Sequence, residues 1–398
     1  MANFMLRTML KLPKRRRILL VLVVIFAYYT VFHGIGGWFG DSDDVHILSR
    51  NNDNGEEKKN LVYIKMIKCG SETLDSMFHR FALVRDLQCV LPVKNKLYLG
   101  WPYEIEKSFY RPSLASDGRF NVLSDHAVYS ESLRSLMPKD TVYVTSIREP
   151  FSQFKSMFNY YNLKEVLSIA TDDPLEDYFK NQEKYEALYK KPHPKKFCIP
   201  DGFSMSKNLM SFNLGFPTGF PEGRPDYSDN RTAVKEWLRK ITKRLDLVII
   251  VEHFDESLVM LKRLMNWNLK DILYLRRNVG NYEYKENLEL VRKYKTWSKV
   301  DYALYETFLS IFNERLKQGG DGLLDEITYY KAIRTDLQLF CASGQDDIKF
   351  DKSNWNEPFV VTKPFCDLLN QNLMDTLKAI YDQKNFYGEI QEPAKSYC

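Results

Sequence analysis

The stretch LVYIKMIKCGSETLDSMF, Leu61 to Phe78, reads as strand, loop and helix in quick succession. Leu61–Lys65 is a short apolar run closed by a lysine. ETLDSMFHRFAL then carries apolar side chains at helical spacing through Leu74, Met77, Phe78 and Phe81. Backbone N–H groups at a helix start are unsatisfied and carry positive partial charge, so the turn between them suits phosphate or sulfate. Gly70 lets the chain approach an anion closely, Ser71 and Thr73 can cap the helix or bond anion oxygens, and Lys68 adds a mobile charge. The G-x-x-x-x-G-K-[ST] spacing of a Walker A loop is absent. The same residues would also serve an ordinary capped turn with two surface lysines.

A second cluster repeats the arrangement. TVYVTSI, Thr141–Ile147, reads as a buried strand and delivers Arg148 at its end, with Pro150 at a helix start and Ser156 eight residues beyond the arginine. An arginine there, followed by a helix N-terminus, predicts a second anion seat. In FSQFKSMFNYY, Phe151, Phe154, Phe158 and Tyr161 share one helical face. FNVLS at Phe120–Ser124 and LDLVIIVE at Leu245–Glu252 add two more strands, and DESLVMLKRLMNW another helix. This alternation predicts an α/β fold, a parallel β-sheet flanked by helices on both faces, with ligands outside the carboxyl ends of the strands. Two anion seats at such ends imply a ligand with phosphates at both of its own ends. Thr171 to Tyr227 reads as Pro-, Gly- and Lys-rich loops. The C-terminal third reads as helical, with Tyr302, Tyr305, Phe308, Leu309 and Phe312 on one side.

At 398 residues and 44% apolar content the chain can bury a large core. Its net charge of +5 is carried by the N-terminus: Arg7, Lys11, Lys14, Arg15, Arg16 and Arg17 contribute +6, which leaves the remainder at −1. A near-neutral body argues against broad capture of nucleic acid. ILLVLVVIFAYYTVFHGIGGWFG, Ile18 to Gly40, follows without a charge, and Asp41, Asp43 and Asp44 come after it. That pattern predicts a cytosolic tail at 1–17, a type II signal anchor at 18–40, a polar stem at 41–60 and a luminal domain at 61–398. A cleaved signal peptide fits less well, because the apolar run is long and no A-x-A-type site follows. None of the six cysteines, Cys69, Cys89, Cys198, Cys341, Cys366 and Cys398, stands in a C-x-x-C pair, so zinc is not expected and some disulfide pairing is. Asn230-Arg231-Thr232 is a glycosylation acceptor sequence.

These segments carry a resemblance. IKMIKCGSETL resembles the 5′-phosphosulfate loop of Golgi carbohydrate sulfotransferases, and REPFSQFKS resembles their 3′-phosphate motif. LDLVIIVEHFDESLVMLKRLMNWNLKDILYLRRN and TWSKVDYALYETFLSIFN are similar to the galactose-3-O-sulfotransferase family, to which galactosylceramide sulfotransferases belong. The likeness runs from about Leu61 to Phe312, with the anchor in addition. It implies a P-loop nucleotide-kinase-like sulfotransferase fold in a Golgi membrane. It also implies 3′-phosphoadenylyl sulfate (PAPS) as co-substrate without a metal, and a galactose-terminated glycolipid or glycan as acceptor. Carried over position by position, Lys68, Cys69, Gly70, Ser71 and Thr73 would hold the 5′-phosphosulfate, and Arg148 and Ser156 the 3′-phosphate. Oligomeric state and the choice between lipid and glycoprotein acceptor stay open.

Transfer to a sugar hydroxyl needs a base, and stabilisation of the charge that builds on the leaving oxygen. Lys68 suits the second role. Of the six histidines, His126 follows the strand FNVLS directly, at the sheet edge that holds both anion seats, and it resembles the histidine between the family's two cofactor motifs. It is the candidate base, with Asp125 placed to orient it; a histidine capping the next helix is the plainer reading. Other readings are a uronyl 2-O-sulfotransferase, a phosphotransferase, or a non-catalytic glycan-binding relative. The loop departs from the family pattern at Met66 and Ile67, where Thr-His is usual, and at Glu72, where a small hydroxyl residue is usual. A carboxylate beside a phosphosulfate is repulsive unless it points outward. Glu72→Ser is therefore expected to keep or raise sulfate transfer in a steady-state assay, whereas a large loss would give this carboxylate an essential role.

Overall fold

The computed structural model describes residues 55–93, 98–196, 199–276 and 287–384. The basic tail and anchor, and the stem up to residue 54, lie outside the described residues. Among the described residues no helix is long and apolar enough to cross a membrane.

Four strands build the central sheet: β1 (Leu61–Ile64), β2 (Val122–Asp125), β3 (Val142–Ile147) and β4 (Leu247–Ile250). All pair in parallel, in the order β2-β1-β3-β4. Every residue of β1, β3 and β4 is buried, as expected of strands covered on both faces. Ile64 is level with Asp125 on one side and Thr145 on the other. The end of β1 therefore opens between the ends of its two neighbours, and residues about 60 and 80 positions downstream arrive beside the loop that follows it.

Each of three strands feeds a helix: α1 (Ser71–Val84) after β1, α2 (Pro150–Tyr160) after β3 and α3 (Phe254–Met265) after β4. Leu74, Met77, Phe78 and Phe81 form the inner face of α1, and Phe81 stacks on Trp267 with centroids 3.9 Å apart. The long helix α4 (Lys299–Ser343) is broken at Gly320, whose φ of 58° and ψ of −162° are not helical. A second core of aromatic residues forms beneath α2, where Phe154 packs on Tyr294 at 4.6 Å and on Tyr178 at 5.5 Å.

Strand ends differ from the sequence reading by at most two residues; β4, for example, stops at Ile250 and Val251–His253 turn tightly. The larger correction concerns Thr171 to Tyr227, which is not a run of loops. It contains helices Pro174–Lys180, Gln182–Tyr189 and Leu209–Asn213 and buries Phe203, Met205, Phe212 and Phe216. Much of this order is imposed from a distance. Asp301 of α4 accepts hydrogen bonds from the Met210 and Ser211 N–H groups (3.1 and 2.7 Å) and from the Ser211 hydroxyl (2.6 Å). The C-terminal third is mainly helical as expected, but a hairpin of β5 (Asp347–Phe350) and β6 (Phe359–Thr362) interrupts it. A disulfide between Cys341 and Cys366 ties the end of α4 to helix Lys363–Asn370, whereas Cys69 and Cys89 are free and buried.

One buried ionic cluster joins the first two strands to α1. The Lys65 ammonium pairs with Asp75, in the second turn of α1. The Ser124 hydroxyl of β2 donates to Asp75 Oδ1 at 2.5 Å, and His79 Nδ1 lies 3.0 Å from the same oxygen. Asp75 is 0% exposed and Lys65 5%. Burial alone would raise the Asp75 carboxyl, yet Lys65 and His79 hold it well below the usual carboxylate range. Removing one partner of such a pair strands a charge in the interior. Asp75→Ala is expected to lose about 3–5 kcal/mol of stability in urea unfolding; a loss below about 1 kcal/mol would contradict a tightly coupled pair.

Candidate active site

The loop between β1 and α1 is shaped by two residues with left-handed backbone, Lys68 at φ 63° and Gly70 at φ 69°. Gly70 occupies the N-cap position, and no side chain caps α1. The first N–H groups of the helix therefore remain available to an outside acceptor. A Cβ at Gly70 would strain its left-handed backbone and press to 3.0 Å from Cε2 of Phe254, so glycine is favoured there. Gln153 of α2 donates to the Ile67 carbonyl at 3.0 Å and anchors the loop from below.

The side chains of this loop diverge. Cys69 is fully buried with Sγ 3.8 Å from Met210 Sδ, and burial drives its thiol far up, so only its backbone can face a ligand. Ser71 is nearly buried, Thr73 is half-buried and Glu72 is exposed on the outer side of the first turn. Glu72 nonetheless stays close enough to Lys68 to favour its charged form. Burial and the neighbouring Arg148 outweigh that and lower the Lys68 pKa. The Lys68 ammonium rests 4.0 Å above the ring of Tyr160, and Arg148 Nη1 reaches the Lys68 carbonyl at 3.5 Å. Among the described residues neither cation has a carboxylate ion-pair partner.

Of the second anion seat expected at the start of α2, the helix N-terminus is corrected. Glu149 caps that helix itself, accepting from Phe151 N at 3.0 Å and Ser152 N at 2.7 Å, so its own carboxylate satisfies the orphan donors and the helix dipole. Tyr302 donates to Glu149 Oε1 at 3.1 Å, and Glu252 accepts from the Glu149 N–H at 2.9 Å. What the segment still offers an anion is side chains: Arg148 at the end of β3, and Ser156, 6% exposed, two turns into the helix.

On the other flank of β1, His126 follows β2 directly. Its ring meets Tyr98 edge-on at 4.9 Å, with Trp101 at 6.1 Å, and its Nδ1 is buried without a hydrogen-bond partner among the described residues. Burial, reinforced by the Lys65 charge, pushes the His126 pKa down to about 3, so the imidazole is neutral at neutral pH. Asp125 does not orient the ring: its Oδ1 accepts from the backbone N–H of His126 at 2.6 Å. Burial, with Asp75 adding to it and Lys65 opposing, pushes the Asp125 carboxyl up to about 7. Away from this edge, Asn230 is exposed and caps helix Arg231–Arg244 by accepting from Ala233 N at 3.1 Å.

The sheet order thus gathers Lys68, Arg148 and His126 at one edge. Sequence reading missed Lys65, Asp75 and Ser124 as a cluster, and Tyr98, Tyr160 and Tyr161 as neighbours of the loop. Asp75 and His79 stand four apart on a helical face with Leu74 and Phe78, which was a usable signal. Nothing local marked the tyrosines.

Comparison with known proteins bears on the same region. The family model described as galactose-3-O-sulfotransferase matches residues 5–372. Galactosylceramide sulfotransferase of Homo sapiens is 26% identical over 312 residues, covering 75% of this chain and 68% of that protein. Galactose-3-O-sulfotransferase 2 of Homo sapiens is 27% identical over 360 residues, covering 86% and 84%. Galactose-3-O-sulfotransferase 3 of Mus musculus is 29% identical over 267 residues, covering 65% and 58%.

The Asp125 environment gives a pH test. An unfolded aspartate titrates near 3.9, whereas this one holds its proton to about 7. Between those values the folded chain binds a proton that the unfolded chain releases, so its stability falls as pH climbs through the window. Asp125→Asn keeps the acceptor for the His126 N–H and removes the buried charge. Its melting temperature should exceed that of the wild type more at pH 8 than at pH 4; an equal gap at both would contradict the raised value.

Proposed function

Because the chain belongs to the galactose-3-O-sulfotransferase family, we propose that it transfers a sulfuryl group from PAPS to the 3-hydroxyl of a terminal galactose on a glycolipid or glycan. The observation that carries this reading is the pair Lys68 and Arg148. Two cations meet at the carboxyl edge of the sheet beside an uncapped helix, with no carboxylate ion-pair partner among the described residues, across from a neutral histidine. An anion with separated charges suits that arrangement.

The residues present fit the donor. The N–H groups of the first turn of α1 and the Lys68 ammonium would hold the 5′-phosphosulfate, and Arg148 with Ser156 the 3′-phosphate. The donor supplies the activated sulfuryl group. His126 accepts the proton of the acceptor hydroxyl while that oxygen forms its bond to sulfur. The bond between sulfur and the bridging phosphate oxygen breaks, and its electron pair stays with the leaving 5′-phosphate. Lys68 faces the charge that builds there, in a site where partial burial strengthens the attraction. A histidine with so low a pKa remains in its base form well into the acid range, and the approach of the anionic donor would raise its proton affinity.

The address follows from the same reading. A basic tail before an apolar run, a disulfide at Cys341–Cys366 and an exposed Asn230 in an acceptor sequence support a type II Golgi protein with its catalytic domain in the lumen, glycosylated at Asn230.

Transfer of radiolabelled sulfate from PAPS to a panel of galactosides tests the proposal. Wild-type protein is expected to label at least one terminal galactoside, with kcat lower by about 10²–10⁴ in His126→Ala and about 10²–10³ in Lys68→Ala. No transfer to any galactoside would overturn the substrate class, and full activity in His126→Ala would overturn the base.

A further inference from the structure

An in-line transfer fixes where the acceptor must lie. Its hydroxyl oxygen has to reach His126 while the sulfur sits next to Lys68, so whatever bridges those two residues borders the incoming sugar. Three tyrosines bridge them. Tyr160 closes α2 and carries the Lys68 ammonium 4.0 Å above one ring face. Tyr161 follows with its ring edge-on at 5.1 Å. Its hydroxyl is next to that of Tyr98, whose ring meets His126 at 4.9 Å. Asp125 also lies near the Tyr98 hydroxyl.

Core packing accounts for two members of this ridge, Tyr98 and Tyr161, which lie partly buried against the second aromatic core, but not for Tyr160. Met157 and Phe158 already supply the buried side of the end of α2, while Tyr160 is 58% exposed. One large aromatic ring left in solvent beside Lys68, backed by two partly buried tyrosines that lead to His126, is suited to a ligand that is part apolar and part hydroxylated. A galactopyranose is such a ligand, because its axial 4-hydroxyl leaves the opposite face a continuous patch of C–H bonds. We propose that Tyr98, Tyr160 and Tyr161 form the acceptor subsite, packing the C–H face of the terminal sugar and bonding its hydroxyls through their phenol groups. The assignment rests on the sulfuryl-transfer reading above and adds to it the surface that holds the sugar.

Initial rates at saturating PAPS with varied methyl β-galactoside provide the test, alongside calorimetric binding of desulfated donor (3′-phosphoadenosine 5′-phosphate). Tyr160→Ala is expected to raise the acceptor KM about five- to tenfold while the Kd for desulfated donor stays within about twofold, and Tyr160→Phe to recover most of the loss. An acceptor KM within about twofold of wild type in Tyr160→Ala would overturn the subsite, even if kcat fell through misplacement of Lys68. Saturation-transfer NMR separates the two readings. Galactoside contacts that are present in the wild type and lost in Tyr160→Ala support the ridge even where no sulfate is transferred. A wild-type protein that shows no such contacts overturns it.

Discussion

The buried pair of Lys65 and Asp75 is the constraint on which the edge of the sheet depends. It ties the residue that follows β1 to the second turn of α1, and the chain between them, Met66 to Leu74, must close over that link. The Ser124 hydroxyl on Asp75 extends the tie to β2, and so sets where Asp125 and His126 emerge. A charge pair of this kind need not be more stable than an apolar replacement, but breaking it strands a buried charge, which disfavours other arrangements. Here the paired geometry turns the loop so that Lys68 and the bare N-terminus of α1 face outward, while Cys69 goes into the core.

The same pair sets the electrostatics. Lys65 is charged and interior, so it works against a proton on His126 and favours an ionised Asp125. For Asp125, burial wins over that attraction, and for His126 burial and charge act together. The edge then presents a neutral imidazole, a carboxyl that holds its proton to about pH 7, and two cations, Lys68 and Arg148, without carboxylate ion-pair partners among the described residues. Such a set is matched to an anionic reactant whose chemistry also releases a proton. Glu149 and Glu252 lie at the neighbouring strand ends, but Glu149 is spent on capping α2 and Glu252 on the Glu149 backbone and the Tyr305 hydroxyl, so neither pairs with Arg148.

What was legible in the sequence was local. Leu61–Ile64 is an unbroken apolar run, and Val142–Ile147 is interrupted only by the small, buried Thr145 and Ser146, because both faces of a parallel sheet are covered; α1 and α2 show their inner faces at a period of 3.6. Strand ends carry ligands in such folds, so the arrival of Lys68, Arg148 and His126 at one edge of the sheet could be read from their places after β1, β3 and β2. What stayed hidden depends on pairings across the chain. Asp301 orders residues 210 and 211 from 90 positions away, which is why the segment before Tyr227 looked like loop. Glu149 adjoins Arg148 in sequence, yet its carboxylate goes to the N-terminus of the helix that follows it. Tyr98 and Tyr161 come from separate segments, and no periodicity relates them.

The central claim is that a nucleotide with phosphates at both ends spans the edge from α1 to α2. A crystal structure of the protein with desulfated donor tests it most directly. The account requires the 5′-phosphate within hydrogen-bonding distance of the Ser71–Thr73 N–H groups and the Lys68 ammonium, and the 3′-phosphate on Arg148 and Ser156. Nucleotide density lying elsewhere, with those groups untouched, would contradict it.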